Sequence, residues 1–208
     1  MAELHPSKPF FNDIRDIFQQ ARQKSYTAVN FVMVEAYWNI GKRIVQEEQQ
    51  GEARAEYGKN LVKELSKQLT SEFDKGFSES NIKNFRQFYL TFSSDEIRYT
   101  LRSELAWSHY RLIMQIENPN AREYYINEAA EQNWSVRALE RQINSLYYER
   151  LLTSRNKAPV VEEMKEKTAH LAQTPQDFIK DPYVLEFLGM PDSSQFRESD
   201  MNRLILII

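Results

Sequence analysis

The stretch YGKNLVKELSKQLTSEFDKGFSESNIKNFRQFYLTF, residues 57–92, decides the fold. Its first half repeats apolar residues at helical spacing (Leu61, Val62, Leu65, Leu69 and Phe73), which predicts a helix over about 57–73. The opposite face carries Lys59, Lys63 and Lys67, each one turn after the last. Asp74–Lys75–Gly76–Phe77 breaks the pattern, and Gly76 supplies the left-handed backbone a helix end often needs. Ser78 is then a natural N-cap for a helix to about Phe92, with Ile82, Phe85, Tyr89 and Phe92 inward. Two helices joined through a short glycine-containing turn make a helix-turn-helix candidate.

Helical patterning extends to both sides. Upstream, one helix is expected from about Phe10 to Gln23, with Ile14, Ile17, Phe18 and Ala21 recurring as a stripe. A second is expected from about Tyr26 to Gln50, striped by Val29, Val32, Met33, Ala36, Ile40 and Ile44. Downstream, Ile97 to Ala106 is ambiguous and could form a small β-wing. Ser108 can cap a short helix to about Ile116. Asn118–Pro119 matches a cap followed by proline at the first helical position, opening a helix through Glu131. After a turn at Gln132–Asn133, Ser135 caps a helix to about Ser154, giving a second helix-turn-helix candidate. Asp181–Pro182 and Thr174–Pro175 each resemble a cap before a brief helix, and 189–194 reads as a linker.

The composition agrees. The 208 residues include 5 glycines and 7 prolines, about half the usual share, so the frequent turns of an all-β fold have no source. There is no cysteine, which excludes disulfides, thiolate metal sites and thiol nucleophiles. No apolar run approaches ~18 residues, and residues 1–10 lack the basic-then-apolar layout of a signal peptide. The expected class is all-α, or mainly α with that small β-wing, in a soluble cytoplasmic protein away from membranes.

Charge constrains the partners. The formal net charge is −3, with 10 basic and 8 acidic residues over 53–112 but 5 and 9 over 159–208. A nucleic-acid role must therefore rest on local patches. On the helix after Ser78, Lys83, Asn84 and Gln87 lie opposite the apolar face and could meet base edges, while Lys59, Lys63 and Lys67 could meet phosphates. On the helix after Ser135, Arg137, Arg141, Asn144 and Tyr148 form a stripe opposite Val136, Leu139, Ile143 and Leu146. An ordinary solvated face is the competing account of each stripe.

Catalytic signals are absent. Gly51 to Lys59 has six residues between its glycines where a phosphate loop has four. His5, His109 and His170 are scattered, and His109 reads as a packing or hydrogen-bonding residue. Glu163–Met164–Lys165 has the Glu-x-Lys form of some magnesium nucleases, but it lies in a charged run that favours a solvated helix. Trp38, Trp107 and Trp134 each adjoin a cap or apolar stripe and are expected in the core. No catalytic and no metal-ligating residues are assigned.

Several strings together resemble the N-terminal domain of the YhcG-like family, bacterial proteins that pair a helical region with a PD-(D/E)XK nuclease domain. They are Ala36–Tyr37–Trp38–Asn39–Ile40–Gly41, Gly51 to Gly58, and Gly76–Phe77–Ser78 followed by Asn81, Phe85, Arg86, Phe88 and Tyr89. Trp107–Ser108–His109–Tyr110, Trp134 to Arg137 with Leu139 to Ile143, and Lys180 to Tyr183 with Leu185 to Leu188 complete them. The resemblance implies a helical domain over 10–190, with 191–208 a linker and the start of a C-terminal nuclease domain whose catalytic Asp and Glu-x-Lys have no counterpart here. Magnesium is implied for that nuclease domain, and no cofactor for this chain. The expected role is a non-catalytic, nucleic-acid-binding accessory domain, with DNA as the first partner. Its rival is a protein-interaction or homodimerisation module. Arg137 and Arg141 are both family-matching and predicted exposed, whereas Arg86 lies beside the apolar face and is expected to be ion-paired.

Overall fold

A computed structural model describes residues 8–50, 55–73, 75–93, 104–171 and 181–189. Among these, nine α-helices and a 3-10 turn are found and no β-strand: α1 Lys8–Gln50, α2 Ala55–Phe73, α3 Glu79–Thr91, α4 Trp107–Ile113, α5 Pro119–Glu131, α6 Val136–Asn144, α7 Tyr147–Thr153, α8 Ala158–Thr168 with the turn Ala169–Leu171, and α9 Pro182–Phe187. The fold is all-α. Residues 97–103 of the anticipated β-wing lie outside the described residues, as do Thr174–Pro175 and everything from 190 onward.

The caps fall where their chemistry requires. Gly76 has φ 92°, and Ser78 Oγ accepts the Asn81 N–H at 3.3 Å to start α3. Asn118 accepts the Asn120 N–H at 2.9 Å to start α5, and Ser135 accepts the Ala138 N–H at 3.2 Å to start α6. Asp181 Oδ1 takes the Tyr183 N–H at 3.0 Å, and its other oxygen accepts from the Ser108 hydroxyl at 3.1 Å.

Three expectations are corrected. The two upstream helices are one, because nothing near Lys24–Ser25 breaks a helix; Ser25 Oγ instead bonds back to the Ala21 carbonyl at 3.2 Å. The stripe of Ile14, Ile17 and Phe18 faces solvent, at 52%, 64% and 48% exposure. The helix after Ser135 ends at Asn144: Leu146 adopts φ 53°, interrupting the run before α7. Leu146 is thereby exposed instead of inward. The short helix before Ile116 is capped not by Ser108 but by a backbone arrangement at Ala106, whose N–H donates to His109 Nδ1 at 3.1 Å.

The core is aromatic, and α1 and α3 are its axis. Tyr37 stacks on Phe85 with centroids 4.3 Å apart and meets Trp107 edge-on at 5.0 Å. Phe88 joins the same group through Trp107 and Tyr110. Such tilted and edge-on pairs add specificity to the area they bury. The two helices approach so closely at Gly41 that a Cβ there would lie 2.0 Å from the Phe85 carbonyl oxygen. Trp38, Trp107 and Trp134 are all buried, as expected, and Trp38 Nε1 donates to the Phe92 carbonyl at 2.8 Å.

Candidate nucleic-acid interface

Helix α6 carries the first patch. Its buried side is Ala138, Leu139 and Gln142, packed toward α4 and α7, which turns Arg137, Arg141 and Asn144 to solvent. One helical turn separates the two arginines, so both guanidiniums face the same side. Neither has an ion-pair partner among the described residues. Glu140, which periodicity did not single out, is exposed beside them. With Asn144, Glu149 and the exposed Leu146 it lines a pocket of about 380 Å³ together with the half-buried Leu112, Ile116 and Ile143. Tyr148 leaves the stripe: it is half-buried on α7, and its backbone N–H donates to the Tyr125 hydroxyl at 3.2 Å.

The second patch lies on α2 and α3. Lys63 and Lys67 are exposed and line an open groove of about 870 Å³ with Asn60, Ser66, Thr70 and Glu79. Lys59 belongs to α2, but its side chain lies outside the described residues. On α3, Lys83 is exposed yet ion-paired to Glu79 at 3.5 Å, and Gln87 donates to Thr91 Oγ1 at 3.1 Å. Asn84 is half-buried, so the full trio is not presented together. Arg86 is ion-paired as anticipated, its Nε 2.7 Å from Glu48 on α1. Helix α2 packs with α1 and α3, and helix α6 with α4 and α7, so the candidate residues fall on two separate groups of helices, each with acidic side chains among the basic ones.

Glu163–Met164–Lys165 sits within α8 with Met164 buried, and Glu163 is ion-paired to Arg150. Among the described residues no group of three or more His, Asp or Glu side chains could hold a metal ion. His109 is buried; its Nε2 donates to the Trp134 carbonyl at 2.9 Å, and burial lowers its pKa to about 4. That geometry makes it a neutral staple between α4 and the α5–α6 turn.

The DUF1016 N-terminal domain matches residues 13–150, spanning α1 to most of α7. The chain belongs to the DUF1016 N-terminal domain family. It is also 36% identical over 221 aligned positions to the Escherichia coli (strain K12) protein named "Putative nuclease YhcG", covering 91% of this chain. The chain spans 58% of that relative's length. No solved structure matches. The matched residues include Arg137 and Arg141 and also the aromatic axis of α1, α3 and α4. No helix among the described residues is long and apolar enough to cross a membrane.

Proposed function

We propose that this DUF1016 N-terminal domain is a nucleic-acid-binding accessory module of a nuclease-type protein, non-catalytic by itself, with DNA as its first partner. The observation that carries the reading is the pair Arg137 and Arg141. They are exposed, unpaired among the described residues and held one turn apart by a helix whose other side is locked in the core. Guanidiniums so placed suit phosphate oxygens, and Asn144 one turn further could add a neutral contact. Lys63 and Lys67 supply a second phosphate-facing surface. The printed name of the Escherichia coli relative supports a setting in nucleic-acid chemistry.

The test is fluorescence anisotropy of the 208-residue chain with a labelled DNA duplex across salt concentrations. Arg137→Glu with Arg141→Glu should weaken binding at 50 mM salt by roughly 10-fold or more and reduce the log–log salt slope by about 2. Unchanged affinity in that variant, or no binding by the parent at low salt, would refute the reading.

A further inference from the structure

Helix α1 has two apolar faces. From Asn30 onward its inward side is Met33, Tyr37, Gly41 and Ile44, buried in the core. On roughly the opposite side, at 100° per residue, run Phe11, Ile14, Phe18, Ala21, Ser25, Ala28 and Val32, spaced alternately three and four. This is a heptad seam just over three repeats long, and it points away from the core that α1 itself builds. Phe11, Ile14, Phe18 and Val32 are 59%, 52%, 48% and 52% exposed, and Phe10 and Ile17 beside them 57% and 64%. Ala21 and Ala28 are exposed as well.

We infer that this seam pairs with the same seam of a second copy, the two α1 helices lying antiparallel. Residue size selects the partner and its direction. The large side chains, Phe11, Ile14 and Phe18, occupy the first half of the seam, and the small ones, Ala21, Ser25 and Ala28, the second half. An antiparallel register sets Phe11 on Ala28, Ile14 on Ser25 and Phe18 on Ala21, twice over by symmetry, so that large fills small in six layers. A parallel pair would oppose Phe18 to Phe18 and leave alanine on alanine. Charge agrees on one flank: Asp13 and Lys24 share a side of the helix, and the antiparallel register brings Asp13 of each copy within about 3 Å along the axis of Lys24 of the other. On the other flank Arg15 meets Arg22 of the second copy. Those guanidiniums already lie over the Phe11 and Phe18 rings of their own chain, 5.2 and 4.4 Å from the centroids. The exposed aromatic and aliphatic side chains amount to on the order of 1,000 Å² over two copies, the lower edge of a stable interface.

The absence of cysteine makes the test clean. Sedimentation should show the 208-residue chain as a dimer at micromolar concentration. Because attraction and repulsion between flanks offset, the dimer should persist in 0.5 M salt, where DNA binding is lost. Phe18→Glu should make it a monomer with unchanged helical circular dichroism. A double Ile14→Cys, Ser25→Cys chain should form inter-chain disulfides on mild oxidation, and each single variant should not. A monomeric parent at 50 μM would overturn the inference, as would efficient cross-linking of either single variant.

Discussion

One buried and one half-buried titratable group pull stability in opposite directions with pH. Burial holds the folded His109 at a pKa of about 4 against the ordinary 6.5, so the stability it supports is intact above 6.5 and is lost as pH falls toward 4. Burial raises Asp181 from 3.8 to about 6, an effect partly offset by its Ser108 hydrogen bond. The stability associated with Asp181 is therefore fully present below 3.8 and is lost as pH rises through 6. Asp181→Asn keeps the capping oxygen for the Tyr183 N–H and turns its amide NH2 toward Ser108, whose hydroxyl can accept, while it removes the charge. At pH 7.5 it should be more stable than the parent by roughly 1–2 kcal/mol, and at pH 4 it should gain nothing. Urea denaturation at both pH values checks this, and an equal gain at both would point away from the charge. The Asp-Pro cap itself was legible in the sequence. Its Ser108 partner was not, because it lies 73 residues away and no local pattern encodes that distance.

At the scale of elements, caps were easier to read than continuity. Ser78, Asn118, Ser135 and Asp181 each bond within a few residues of themselves, so spacing alone located them. The unity of α1 was hidden because its two apolar faces, one inward and one outward, look like the stripes of two helices. The break at Leu146 was hidden for another reason: leucine is a poor residue for left-handed backbone, so nothing announces it. Leu146→Asn should relieve that strain and raise stability by roughly 1 kcal/mol, or ~2–4 °C in Tm. A fall in Tm would show that the leucine side chain contributes more than its backbone costs. Gly41 offers a test of opposite sign. Helix propensity alone predicts that Gly41→Ala stabilises α1 by about 1 kcal/mol. The contact with the Phe85 carbonyl predicts instead a loss of about 3 kcal/mol or more, read as a Tm lower by some 6–12 °C.

Across the whole molecule, the strings that suggested a family are mostly packing residues. Tyr37, Trp38, Phe85, Phe88, Trp107, Tyr110 and Leu185 are buried, so they specify the fold and are silent on ligands. The helical class and the aromatic core were therefore largely legible. The candidate interface was legible only in part: periodicity turned Arg137, Arg141 and Asn144 outward, but it could not show Glu140 and Glu149 rimming a pocket beside them or Lys83 engaged by Glu79. Helix α1 also sets a length. Its 43 residues extend about 64 Å, and its inward face becomes buried only from Asn30 onward. In the antiparallel pair, the first core-bound residues of the two copies stand about 32 Å apart along the shared rod. That is the gap between near edges; the two Tyr37 residues, inside the cores, stand about 52 Å apart. A pair of helices that buries its own seam would thus also act as a spacer, holding two identical bodies toward its opposite ends.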